Sequence, residues 1–144
     1  MKAINDFKMN IMSKSANEGF IRAVTAAFCA LIDPTVEEIS DIKTAVSEAV
    51  TNAVVHAYKE KQGRIYIDAA IYPDNTVKIR IKDKGCGIED VKKAMEPLYT
   101  TSGDERSGLG FSVMESFCDK LKVSSTPGKG TVVTLTKKIT GKCE

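Results

Sequence analysis

A single histidine, His56, and four cysteines far apart from one another, Cys29, Cys86, Cys118 and Cys143, are all the histidine and cysteine in this sequence. The usual Cys/His zinc spacings are absent, and so is a Cys-x-x-Cys redox pair. Long apolar runs are missing too: none approaches the roughly 20 residues that span a bilayer. The first residues, 1–12, mix Asp6 and polar side chains with apolar ones, which is not the apolar stretch of a signal peptide. The expectation is a cytoplasmic protein with reduced thiols and no membrane contact. The formal net charge is only +2, and no lysine or arginine cluster stands alone. That leaves no electrostatic footprint for direct nucleic-acid binding, so proteins and small molecules remain as partners.

What is present is globular. The chain has 144 residues, 42% hydrophobic and 28% charged, which suits one soluble domain with one sizeable core. Residues 3–12 read as a first strand. From Asn17 to Leu31, the apolar residues Phe20, Ile21, Val24, Ala27, Phe28 and Leu31 recur at helical spacing, and Asp33-Pro34 stops that helix. A longer helix is expected from Val36 to Tyr58, with Thr35 and Glu38 spaced as a capping box. After Gln62-Gly63 the period becomes two. Strands are expected over 64–68 and 76–82 about a Pro73-Asp74-Asn75 turn. A polar, glycine-bearing stretch, 83–106, holds at most short helices. A third helix starts near Gly108 and carries Val113, Met114, Phe117 and Leu121. The chain closes on a hairpin of 122–125 and 131–136. No repeat or linker divides it, and no regular βαβ alternation appears. The expected fold is α+β: one domain over 1–144, a two-layer sandwich with helices on one face of a mixed, mainly antiparallel sheet.

Four short constellations carry possible chemistry. Glu48 and Asn52, four residues apart on the second helix, share one face and can act on one ligand. They equally suit the helix's solvated side, beside Ser47 and Thr51. Asp83-Lys84-Gly85-Cys86-Gly87 follows a strand, and its glycines permit a sharp turn and close backbone approach, as an ordinary turn also would. Ser107-Gly108-Leu109-Gly110 opens a helix, where glycine N–H groups form an anion site or merely cap it. The segment before it, 97–106, with Thr100, Thr101 and Arg106, reads as a hydroxyl-rich flap. Gly130-Thr131 opens the last strand and means little alone. Other nucleotide signatures, the G-x-x-x-x-G-K-[ST] loop and the H-R-D and D-F-G kinase motifs, are absent.

Taken together and in this order, the four constellations resemble the Bergerat, or histidine-kinase-like, ATP-binding fold across residues 35–137. Within that superfamily, 47–58, Pro97-Leu98-Tyr99-Thr100-Thr101, 105–111 and Leu31-Ile32-Asp33-Pro34-Thr35 are similar to the anti-sigma serine kinases of Gram-positive bacteria. The sporulation branch is the closer likeness and the general-stress, sigma-B branch the near alternative. No separate dimerisation helix supplies a phosphoacceptor histidine, and His56 is read as structural, which counts against a two-component sensor kinase.

The resemblance implies a role for each matching residue. Asn52 would ligate Mg²⁺, and Glu48 would be the base acting on a serine hydroxyl. Asp83 would take the adenine amine, with Thr131 holding a water beside it. Gly85 and Gly87 would close on ATP or ADP, while Thr100, Thr101, Ser107, Gly108 and Gly110 would hold its phosphates. Arg22, Glu105 and Arg106 would contact protein partners. Those partners would be a sporulation sigma factor, which the chain inhibits, and an anti-anti-sigma STAS-domain protein, which it phosphorylates on serine. A homodimer is implied as well. A nucleotide-gated module that sequesters sigma factor with little kinase activity is the competing expectation.

Overall fold

The computed structural model describes residues 1–57, 62–88 and 110–141. Every stretch whose apolar residues alternate with polar ones is a strand: β1 (Asn5–Met12), β2 (Arg64–Ile71), β3 (Thr76–Asp83), β4 (Lys120–Thr126) and β5 (Gly130–Lys138). They form one sheet in the order β1-β2-β3-β5-β4. All four pairings are antiparallel, so no parallel pair accompanies them among the described residues. Alternation sends Ile65, Ile67, Ala69 and Ile71 of β2, Val77, Ile79 and Ile81 of β3, and Val133 and Leu135 of β5 to one buried face. Lys78, Arg80 and Lys82 stay exposed on the other. Burying each large aliphatic side chain contributes about 1.5–3 kcal/mol, which is lost if the register slips by one residue.

Among the described residues, three helices cover the apolar face: α1 (Asn17–Cys29), α2 (Val36–Thr51) and α3 (Phe111–Phe117). α2 packs against both α1 and α3. Its buried stripe of Ile42, Ala45, Val46, Ala49 and Val50 joins the same core. Phe7 of β1 meets Phe28 of α1 edge-on, with ring centroids 4.9 Å apart. Such a pair adds about 0.5–1.5 kcal/mol beyond its buried area.

The helix ends differ from the sequence reading. α1 stops at Cys29, and Ala30–Ile32 tighten into a 3₁₀ turn closed by the Asp33 N–H on the Ala30 carbonyl at 3.2 Å. Leu31, 64% exposed, does not extend the apolar stripe. Pro34 disfavours the α conformation for the residue before it, and Asp33 takes φ +52° instead. α2 keeps α geometry to Thr51, and residues Asn52–Ala57, including His56, form a wider π-helical turn; Tyr58 lies outside the described residues. The third helix ends at Phe117. Leu121, although it follows Phe117 by one helical turn, belongs to β4, opposite Leu135, where it and Val123 turn to the same side of the strand. The start expected near Gly108 lies outside the described residues; Gly110, with φ +67°, precedes the first helical residue, Phe111.

The capping box forms, and its acid does more than cap. Thr35 Oγ1 accepts from the Glu38 N–H at 3.0 Å, and Glu38 Oε1 accepts from the Thr35 N–H at 2.9 Å. Glu38 Oε2 also accepts from the N–H and hydroxyl of Thr140, both at 2.7 Å, and Oε1 from the Gly141 N–H at 3.1 Å. One carboxylate thus ties the segment after β5 to the start of α2. A second tie follows one turn later, where Lys137 pairs with Asp41 at 3.4 Å. Burial pushes the Glu38 carboxyl upward, but the bonds from Thr35, Thr140 and Gly141 outweigh it and hold the pKa at about 2.

A depressed carboxyl pKa stabilises the fold fully above the ordinary value of 4.5 and progressively less as pH falls toward 2. Urea unfolding should therefore show stability falling through that window. Glu38→Gln should cost about 1–2 kcal/mol at pH 7 and flatten the acid dependence. An unchanged acid profile in the variant would show that this carboxylate is not the titrating clamp.

Candidate functional site

The chemically equipped residues lie on the second half of α2 and the turn after it, and at the sheet end where β3 finishes and β5 begins. On α2 and the turn that follows it, Val46, Ala49, Val50 and Ala53 are buried and Thr51 is exposed, while Glu48 and Asn52 are half-buried at the border. The pair therefore sits neither in the core nor on the open surface. The Asn52 N–H donates to the carbonyls of Glu48 and Ala49, so helical spacing persists between Glu48 and Asn52 and widens only afterwards. Desolvation raises the Glu48 carboxyl above the ordinary carboxylate range. Its Oε1 lies against Gly110, where a Cβ would overlap it. The φ of +67° favours glycine at 110, and a side chain there would have to displace the Glu48 carboxylate end, so glycine lets the start of α3 lie on the carboxylate.

The wide turn that follows α2 receives the loop after β3. The Cys86 N–H donates to the Ala57 carbonyl at 2.9 Å, and a Cβ at Gly85 would overlap that carbonyl. On its other side the loop meets the β4–β5 turn, where the Gly128 N–H donates to the Cys86 carbonyl at 2.6 Å. Gly87, with φ +77°, packs there on the Thr126 backbone. The Asp-x-Gly-x-Gly loop is therefore pinned on both sides.

Asp83, the last residue of β3, pairs across the sheet with Thr131, the second residue of β5, which in turn pairs with Ser125 of β4. Asp83 and Thr131 are both buried. Asp83 Oδ1 accepts from the Gly85 N–H at 2.9 Å and the Thr131 N–H at 3.3 Å. Burial pushes its carboxyl upward, and these two bonds pull it back only in part. Both bonds end on Oδ1, which leaves Oδ2 to accept from a ligand.

Sequence reasoning passed over Ser125. Its Oγ accepts from the Ile88 N–H at 2.8 Å, donates to the Gly130 carbonyl at 3.0 Å, and lies 2.8 Å from Thr131 Oγ1. The one available signal was hairpin pairing, which sets Ser125 opposite Thr131. Glu18 was also missed. It accepts from Ser47 Oγ at 2.5 Å and pairs with Arg22 at 3.5 Å, a contact readable from their four-residue spacing on α1.

The structure thus brings Asp83, Gly85, Gly87 and Thr131 together at one sheet end, and Glu48 against Gly110. Arg22 stands apart on α1, yet it shares with Glu48 an open groove of about 520 Å³, along with Val36, Ile39, Lys43 and Ser47 of α2. Thr100, Thr101, Glu105, Arg106, Ser107 and Gly108 lie outside the described residues. Among the described residues, no three His, Cys, Asp or Glu side chains gather as a metal site. A Mg²⁺ ion here would take the Asn52 amide and complete its shell with phosphate and water. That donor set suits this strongly hydrated cation. Cys29, Cys86 and Cys118 are free thiols, and burial pushes Cys29 up to about 12, which makes it inert. No helix among the described residues is long and apolar enough to cross a membrane.

Residues 13–137 match the family described as the histidine kinase-like ATPase domain. The chain is 57% identical over 140 residues to the anti-sigma F factor of Caldanaerobacter subterraneus subsp. tengcongensis, covering 96% of this chain and 97% of that one. It is 51% identical over 135 residues to the anti-sigma F factor of Clostridium acetobutylicum, covering 93% and 94%. In fold it is similar to the structure of the RsbU and RsbW domains of Rv1364c from Mycobacterium tuberculosis, with TM-score 0.70 and 23% identity over 94% of this chain and 32% of that one. The mycobacterial sensor histidine kinase MprB shares the fold at TM-score 0.58 and 14% identity, over 91% and 97%. This chain belongs to the histidine kinase-like ATPase family, within its anti-sigma F factor branch.

Proposed function

We propose that this chain is a cytoplasmic anti-sigma factor and ATP-dependent protein serine kinase. It binds and inhibits a sporulation sigma factor, and phosphorylates a serine on that factor's STAS-domain antagonist. The observation that carries the reading is the shared groove: Glu48, suited to be a base, and Arg22, matched to partner contact, line one open groove of about 520 Å³. A module that only sequestered sigma factor would have no use for a half-buried carboxylate at that place. Identity of 51–57% to anti-sigma F factors favours the sporulation branch over the stress branch.

In this reading Asp83 Oδ2 accepts from the adenine amine, and the pinned glycine loop lies along the nucleotide. The Asn52 amide would hold Mg²⁺, which would neutralise phosphate charge. Glu48 accepts the proton of the incoming serine hydroxyl as its oxygen bonds to the γ-phosphorus and the bond to the ADP oxygen breaks. Desolvation of Glu48 raises its proton affinity, which suits a base, and transfer should fall once acid protonates it. The phosphoserine adds nearly two negative charges, which eject the antagonist. Thr100, Thr101, Ser107, Gly108 and Gly110 contribute phosphate contacts, and Glu105 and Arg106 partner contacts. Dimerisation as a homodimer is part of the proposal; β1 is an edge strand whose outer side is unpaired among the described residues.

Transfer of label from γ-labelled ATP to sporulation and stress antagonists tests this directly. Serine label on the sporulation antagonist is expected, with Glu48→Gln lowering the rate about 10²–10⁴-fold while ADP still binds. Asn52→Ala should remove the Mg²⁺-dependent part of nucleotide affinity. Label on neither antagonist, with ATP bound, would leave the sequestering module as the function.

Arg22→Ala should weaken capture of the sigma factor about tenfold, read by surface plasmon resonance, with nucleotide affinity kept as the folding control. Undiminished capture would place the partner surface away from the groove.

A further inference from the structure

Ser125 lies in the same cross-strand row as Thr131 and Asp83, at the end of the sheet where the proposed nucleotide base sits. Its oxygen has three hydrogen-bond contacts but only one proton to give. The Ile88 N–H donates to it, which uses a lone pair. The Gly130 carbonyl can only accept, so the 3.0 Å contact takes the Ser125 proton. The remaining contact, at 2.8 Å to Thr131 Oγ1, must then be filled by the proton of Thr131. With that proton committed to Ser125, Thr131 turns only lone pairs toward a ligand. Its neighbour Asp83 likewise offers the acceptor Oδ2, since Oδ1 is occupied by two backbone donors.

We propose that Ser125 is a positioning residue that fixes the direction of the Thr131 hydroxyl and so makes this end of the pocket accept only. The inference rests on the nucleotide-binding reading above and deepens it. Two adjoining acceptors fit a purine that bears an amine at position 6 and its bound water. They repel a purine with a carbonyl there, which brings an acceptor to acceptors. Ser125 touches no ligand in this scheme; it acts through Thr131, and through the Ile88 N–H it also holds the end of the glycine loop. Removing its oxygen frees the Thr131 proton to rotate outward, where it can donate to a carbonyl. A site whose buried polar groups match one partner discriminates strongly against a mismatched one. Loss of that match should therefore appear as lost discrimination rather than uniformly weaker binding.

The test is calorimetric binding of ADP and IDP, which differ in the amine or carbonyl at position 6 and in the proton that IDP carries on N1 beside it, to the full chain and to Ser125→Ala and Ser125→Thr. The ratio of the two affinities does not depend on the fraction of folded protein, because both ligands meet the same sites. The expected result is a preference for ADP of about 100-fold in the unaltered chain. Ser125→Ala should cut that preference about tenfold, and Ser125→Thr, which restores a hydroxyl, should recover most of it. The same preference in Ser125→Ala as in the unaltered chain would overturn the role of Ser125 and leave the nucleotide reading standing. Binding of neither nucleotide by the unaltered chain would overturn both.

Discussion

The antiparallel register of β3 between β2 and β5 is the constraint on which the rest of this molecule depends. One alignment sends Val77, Ile79 and Ile81 into the core with Ile65, Ile67, Val133 and Leu135. The same alignment brings Asp83 beside Thr131, and β4 adds Ser125 to the row. A slip of one residue would bury Lys78, Arg80 and Lys82, whose charges have no partners on that face, and would turn Asp83 outward. The energy that assembles the core is therefore also the energy that assembles the polar row. Little further cost falls on the site itself, because its backbone donors sit in turns that the sheet ends create.

The second constraint acts on α2, which is held near both ends. At its start, Glu38 gathers donors from Thr35, Thr140 and Gly141. Past its end, the Ala57 carbonyl receives the Cys86 N–H of the glycine loop. Between these ties the buried stripe sets the helix's rotation, and rotation decides that Glu48 and Asn52 fall at the border of core and solvent. That border raises the proton affinity of Glu48 while leaving it open to the groove it shares with Arg22. The wide turn beginning at Asn52 changes the helical period just where the loop docks. Such turns recur at functional sites.

Much of this was legible in one dimension. Alternation with a period of two marked the strands, three-and-four spacing marked the helices, and Thr35 with Glu38 marked the start of α2. Asp83, Gly85, Gly87 and Thr131 were recognisable as a set only through the family resemblance, because an ordinary turn or strand start explains each of them singly. The misreadings share one cause, which is that local pattern does not say where a neighbour intervenes. Leu121 fitted a helical stripe until pairing with Leu135 claimed it for β4. Leu31 fitted α1 until Pro34 and Asp33 ended the helix early.

By itself, then, the amino-acid sequence determined the α+β class, the α2 cap and the family to which the motifs belong, because these rest on short-range periodicity and on residue type. Only the tertiary structure decided that Ser125 meets Thr131, that Glu38 reaches Thr140, that Gly110 lies on Glu48, and that Arg22 and Glu48 share a groove. Each of these contacts joins residues whose meeting depends on strand register, helix rotation and the turns between them. Those are set by burial summed over the whole core, and no local stretch of sequence carries that sum.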